Sequence, residues 1–179
     1  MKPNESKNNA KNQKIRFAFE NTNLGWVIVA ATVRGICAIA LGDSPDELVS
    51  EIHRRFPQAE FCDDDLIFQQ WVAGVISMIK TPKSRVNLPL DIQGTAFQQQ
   101  VWQILQAIPV GSTLSYQQVA IQIGKPKAFR AVASACAANK LAIAIPCHRV
   151  VGSNGSLSGY RWGVERKQAL LELEKLENL

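Results

Sequence analysis

Three short apolar segments follow a polar start: IRFAF, GWVIVAATV and GICAIAL. Their content of β-branched and aromatic residues predicts strands, with Arg34-Gly35 as a hairpin turn between the last two. SPDELVSEIHRRF then turns helical. Ser44 is placed as N-cap, Pro45 in the first turn and Glu47 to close a capping box. LIFQQWVAGVISMIK repeats apolar residues at helical spacing, and VNLPLDI predicts a return to strand. Residues 15–93 thus form an α+β lobe. Residues 1–14, rich in Asn and Lys, predict a disordered tail.

Beyond Gly94 the pattern is mostly helical. TAFQQQVWQILQAIP has Thr95 as N-cap with Gln98 three residues on, and SYQQVAIQIG repeats that logic with Ser115 and Gln118 before stopping at Gly124. KAFRAVASACAANK follows, then a flexible loop at GSNGSLSG and a closing helix at VERKQALLELEKLENL. The fold class is therefore α+β: a small N-terminal sheet-and-helix lobe, then a helical lobe over residues 94–179. Two short helices across a glycine turn make a helix-turn-helix, with Lys127 and Arg130 on the first turns of its second helix. Ala128, Ala131, Ala133, Ala135, Ala137 and Ala138 keep that helix slim, which suits close approach to a narrow groove.

Charge sharpens this picture. The net charge is only +5 over 179 residues, but from Ile92 to Val164 there is no Asp or Glu, while Lys125, Lys127, Arg130, Lys140, Arg149 and Arg161 fall there. A stretch cleared of carboxylates suits a polyanion; a weakly charged core segment is the plainer alternative. No apolar run has the length of a membrane span and the N-terminus has no apolar signal core, so a cytoplasmic protein is expected. Cys37, Cys62, Cys136 and Cys147 are irregularly spaced, which points to reduced thiols and away from a disulfide framework or a structural zinc site. His53, beside Arg54 and Arg55, reads as a surface residue.

IAIPCHRVVG puts the second of two histidines directly after a cysteine. A cysteine attacks only as thiolate, so it needs a base or a positive charge nearby. His148 can take the proton of Cys147, directly or through a water, if the chain bends there. Its other nitrogen then needs a partner, and Glu165, Glu172, Glu174 and Glu177 of the last helix are the carboxylates near in sequence. A buried structural cysteine beside a histidine that satisfies backbone groups is the simpler alternative.

IPCHRVVGSNGSLSGYRWGVERK resembles the active-site segment of the O6-alkylguanine-DNA alkyltransferases, the methylated-DNA–protein-cysteine methyltransferases. The likeness continues upstream through GTAFQQQVWQILQAIPVGSTLSYQQVAIQIGKPKAFRAVASACAAN and reaches LGDSPDELVSEIHRRFPQAEF. It covers nearly everything after the tail and is nearest to the C-terminal half of the bacterial adaptive-response protein, whose metal-binding N-terminal part has no counterpart here.

The resemblance implies that Cys147 accepts an alkyl group, with its sulfur held ionised. It makes His148 a water-mediated base, and Glu174 the carboxylate orienting that histidine. Glu172 stays the alternative; the two lie roughly 200° apart on a helix, so only one faces the imidazole. Asn139 joins the recognition helix to the active-site segment, and Lys140 stands where the family usually has proline. Tyr116 lies near the target phosphate and protonates the leaving base. Arg130 fills the gap left by a flipped nucleotide, and Phe129 departs from the usual small residue. Gln117, Lys125 and Ser153 complete the expected DNA contacts, and Val150, Tyr160, Arg161 and Trp162 the substrate pocket, where Trp162 narrows the cavity in favour of methyl groups.

The implied function is repair by irreversible, stoichiometric transfer from O6-methylguanine, and O4-methylthymine, in double-stranded DNA. No cofactor and no metal are implied, and the protein is expected to be a monomer. Three other readings predict different behaviour. An alkyltransferase-like damage sensor replaces the cysteine, a transcription regulator binds undamaged sequence, and a cysteine hydrolase turns over repeatedly.

Overall fold

The computed structural model of the chain describes residues 13–84, 86–157 and 159–177. Residues 1–12 of the expected tail, Ser158 of the expected loop and the last two residues of the closing helix lie outside the described residues. Strands β1 (Arg16–Thr22), β2 (Gly25–Ala31), β3 (Ile36–Gly42) and the short β4 (Glu60–Phe61) form one sheet in the order β3-β2-β1-β4. β1, β2 and β3 run antiparallel, and β4 lies parallel to β1. β2 and β3 are buried on nearly every residue, which is why their sequences run continuously apolar instead of alternating.

Helix α1 (Pro45–Arg55) packs on β2 and β3, and α2 (Leu66–Lys80) on β1 and β2. Ser44 caps α1 by accepting from the Glu47 amide at 3.3 Å. Asp65 caps α2 through the Phe68 amide at 3.0 Å and pairs with Arg16. His53 is exposed, as expected, with Nε2 3.0 Å from the Ala59 carbonyl.

The expected strand at VNLPLDI is corrected. It reduces to a single bridge between Leu90 and Ile36, flanked by hydrogen bonds from Ile36 N to Pro89 O and from Asp91 N to Ile36 O. Pro89 has no N–H to give a ladder, so the segment meets the edge of β3 at one point and cannot zip along it.

The second half carries α3 (Ala96–Ala107), α4 (Tyr116–Ile123), α5 (Phe129–Ala137) and α6 (Val164–Glu177). β5 (Leu114–Ser115) pairs in parallel with β6 (Val150–Val151). Both capping boxes, Thr95 with Gln98 and Ser115 with Gln118, are fully formed. Gly124 ends α4 at φ 83°, a left-handed conformation that favours glycine. Lys127 lies in the turn before α5, not on its first turn, because the residues after Pro126 form a tight turn closed by Ala128 N to Lys125 O. Arg130 does sit on the first turn of α5, exposed.

Two contacts position α5. Its inner face buries Val132, Ala135 and Cys136. The carbonyl of Ala135 belongs to the last turn, where a helix leaves its own acceptors without donors. Trp102 on α3 supplies one, its indole N–H donating to Ala135 O at 2.9 Å within the core. The two halves meet where Ile39 N donates to Lys140 O and Ala142 N to Ile39 O, so the edge of β3 holds the segment after α5. No described helix is long and apolar enough to cross a membrane.

Replacing Trp102 by Phe keeps most of the ring and removes the donor. We expect a loss of about 1–2 kcal/mol, read as a lower denaturant midpoint at unchanged slope. An unchanged midpoint means the Ala135 carbonyl needs no protein donor.

Candidate active site

Cys147 begins a single 3-10 turn, Cys147–Arg149, directly after Pro146. This turn is the bend that lets neighbouring side chains converge. The approach to it is unusual: Ile143 adopts φ 72°, the one non-glycine residue with positive φ among the described residues. A β-branched residue there costs energy, on the order of 1–3 kcal/mol, and something must hold it. Asn139, fully buried at the end of α5, does so. Its Oδ1 accepts from Leu141 N at 2.8 Å, and its Nδ2 donates to Ile145 O at 2.9 Å. The same Nδ2 lies 3.3 Å from the Cys147 sulfur. One amide thus braces the loop and touches the cysteine sulfur.

Behind the turn, His148 Nε2 lies 2.6 Å from Glu174 Oε1. Arg149 grips the same carboxylate, from Nε to both oxygens at 3.0 and 3.1 Å and from Nη2 at 2.9 Å, while its Nη1 donates to Ile108 O. Glu172 instead accepts from Gln168 on the exposed side of α6. Burial works against the Glu174 charge, but the hydrogen bonds from His148 and Arg149, with the Arg149 charge, outweigh it and hold the carboxyl at about 2. Burial lowers His148, with Glu174 acting against it, so the imidazole rests neutral. An ionised Glu174 accepts a hydrogen bond from the His148 Nε2–H, which keeps the imidazole proton on Nε2. That leaves a lone pair on Nδ1, which is buried and has no protein partner.

The sulfur itself departs from expectation. Burial raises the Cys147 thiol, against the Asn139 hydrogen bond and the Lys167 charge, so it rests as a thiol and not as a thiolate. Lys167 escaped the sequence reading. It is buried, donates to Gly159 O at 3.1 Å and lies 5.9 Å from the Tyr116 ring centroid. Its one sequence signal is its position two turns ahead of Glu174, which puts Lys167, Leu170 and Glu174 on the buried face of α6.

A cavity of about 320 Å³ opens onto the sulfur, walled by Tyr116, Cys136, Tyr160, Arg161 and the small residues Ala133, Ala137 and Gly159. Tyr160 and Arg161 therefore stand where the sequence placed them. Val150 and Trp162 do not line the cavity. Val150 is consumed by pairing with Leu114, and Trp162 packs behind Tyr160, ring centroids 5.3 Å apart. The Tyr160 hydroxyl is buried with no protein partner. Tyr116 is pushed up to about 12, chiefly by burial, and so keeps its proton.

Gln117, Lys125, Phe129, Arg130 and Ser153 are all exposed. Among the described residues no group of three His, Cys, Asp or Glu side chains is disposed to hold a metal ion.

Residues 96–176 match the family model of the 6-O-methylguanine DNA methyltransferase DNA-binding domain. The chain is 56% identical over 174 residues to the bifunctional transcriptional activator/DNA repair enzyme Ada of Escherichia coli, covering 97% of this chain and 49% of that protein. It thus spans about half of that relative's length. It is 39% identical to the inducible methylated-DNA–protein-cysteine methyltransferase of Bacillus subtilis, over 82% of this chain and 83% of that one. The structure of Mycobacterium tuberculosis OGT in complex with DNA superposes with a TM-score of 0.77 at 33% identity, covering 90% of this chain and 94% of that one.

A carboxyl held below its unfolded value of 4.5 contributes stability that is complete above about pH 5 and fades as the pH falls toward 2. The stability difference between the parent protein and Glu174→Gln should be flat at neutral pH, amount to a few kcal/mol, and shrink across that acid window. A difference that ignores pH there would mean Glu174 is not the ionised member of the pair.

Proposed function

This chain belongs to the methylated-DNA–protein-cysteine methyltransferases, and we propose that it repairs O6-methylguanine, and O4-methylthymine, in double-stranded DNA by moving the alkyl group irreversibly onto Cys147. The observation that carries this reading is a buried cysteine facing a base-sized cavity, next to a histidine whose buried Nδ1 is free to accept a proton.

The chemistry begins with access. An alkyl group on guanine O6 lies inside the duplex, and bringing the nucleotide out costs a few kcal/mol. α5, slim along its exposed side, enters the minor groove. Arg130 fills the stack behind the departed base. Tyr116, Gln117, Lys125 and Ser153 meet the backbone around it. The base then occupies the cavity, with the Tyr160 hydroxyl as an unused hydrogen-bond group at its wall.

Transfer follows from the resting protonation states. The thiol proton passes through a water to His148 Nδ1, and Glu174 stabilises the imidazolium that results. The Asn139 amide and the Lys167 ammonium stabilise the thiolate as it forms. Sulfur attacks the alkyl carbon, the carbon–oxygen bond breaks, and its electron pair goes to the purine. Tyr116, still protonated, gives the leaving base a proton and regains one from solvent, while His148 releases the thiol's proton to solvent, so the protein's charge is unchanged. The product is a thioether and an unmodified guanine, and no group is placed to reverse the step. One molecule acts once, as a monomer, in the cytoplasm.

Incubation with methylated duplex should add a single methylene mass to the peptide containing Cys147, and none in Cys147→Ser. Repeated turnover, or binding without a mass change, would sink the proposal in favour of a hydrolase or a sensor. Arg130→Ala should slow transfer from duplex by about tenfold or more, ~1.4 kcal/mol of barrier, while transfer from the free alkylated base stays unchanged. Equal slowing on both would remove Arg130 from the flipping step.

A further inference from the structure

A second cavity, about 420 Å³, shares Arg161 with the first but is not lined by Cys147. The C-terminal end of α1 supplies Arg54, Arg55 and Glu51 to its wall, the segment after α5 supplies Lys140, and the turn before α6 supplies Arg161. Ala38 and Ala40 of β3 form a floor too small to fill it. Four cations thus surround one space with a single carboxylate among them. That carboxylate is already engaged, Glu51 Oε1 lying 3.3 Å from Arg161 Nη2.

Two arginines at the end of a helix have an ordinary explanation, since cations are favoured there. Arg161 is held by Glu51 and the Ala137 carbonyl, whereas Lys140 belongs to neither helix end nor ion pair among the described residues. Lys140 occupies the position where the resemblance leads one to expect proline, so the chain has a charge where a stiff, neutral residue would serve the backbone equally well. Burial, and then the charges of Arg161 and Arg55, lower Lys140, with Glu51 offsetting them only in part. Trp162, 6% exposed, lines the same cleft and carries an indole N–H with no protein partner. Crowded cations around a roomy cleft are the complement of a compact oxyanion.

We propose that this cleft, between α1 and the Tyr160–Gly163 turn, is an anion site that takes a phosphate group. Arg161 lines both this cleft and the base cavity, so the bound phosphate sits next to the repair site. The phosphate comes either from the backbone of DNA engaged by the same molecule, which rests on the function proposed above, or from a free phosphate monoester.

The test uses the full chain, Lys140→Ala and Arg54→Ala, with inorganic phosphate as probe and the Trp162 indole N–H resonance as readout. The site requires a shift that saturates in the parent protein and needs at least about fivefold more phosphate in each variant. No shift, a shift that never saturates, or equal titrations in all three proteins overturns it. The salt dependence of binding to undamaged duplex then separates the sources. A slope reduced by about one in Lys140→Ala assigns the site to a DNA phosphate, and an unchanged slope assigns it to a free phosphate. The methylene mass on Cys147, measured in the same preparations, reports the transfer reaction independently, so either proposal can fail without the other.

Discussion

The buried carboxylate of Glu174 is the contact on which the site is built. It receives the imidazole of His148 and three hydrogen bonds from Arg149, which in turn reaches the Ile108 carbonyl at the end of α3. The closing helix, the 3-10 turn and α3 therefore converge on one negative charge. A buried charge is tolerable only when paired, and removing a partner costs far more than the pair contributes. Here the same pairing also fixes the imidazole tautomer. Structural necessity and proton bookkeeping rest on a single side chain, so neither can change alone.

A second constraint ties recognition to chemistry. Asn139 terminates the helix proposed to read DNA and braces the loop that carries the sulfur. The sheet takes part, because the backbone of Ile39 bonds to Lys140 and Ala142 on either side of Leu141. The first half of the chain has no reactive group at the cavity, yet its edge strand sets the position of the segment linking helix to cysteine. It serves as a jig for the second half.

Much of this was readable from local rules. The capping residues at 44, 95 and 115 located three helix starts, and the left-handed stop at Gly124 fixed the helix-turn-helix. The pair Cys147 and His148 came from their adjacency and Glu174 from motif likeness, and the choice of Glu174 over Glu172 became physical only when α6 turned one inward and the other outward. What stayed hidden were properties of the assembled core. β4 is two residues long and has no pattern of its own. Lys167 looks like a solvated helix lysine until its face is seen to be buried. Trp162 sits next to pocket residues in sequence but behind them in space. Burial pushes the Cys147 thiol up, an effect that a motif cannot express because it names neighbours and does not weigh desolvation. VNLPLDI had strand composition, and one proline decided its hydrogen bonding.

The left-handed backbone at Ile143 has a further implication. Left to its own preferences, the decapeptide from Ile143 to Gly152 would relax toward an ordinary extended run, and its sulfur would drift away from its companions. Its working shape is imposed by an amide on one side and a sheet edge on the other. Transplanting that decapeptide into a foreign scaffold would carry over the letters of the motif and lose its arrangement, because the geometry belongs to the junction that grips it.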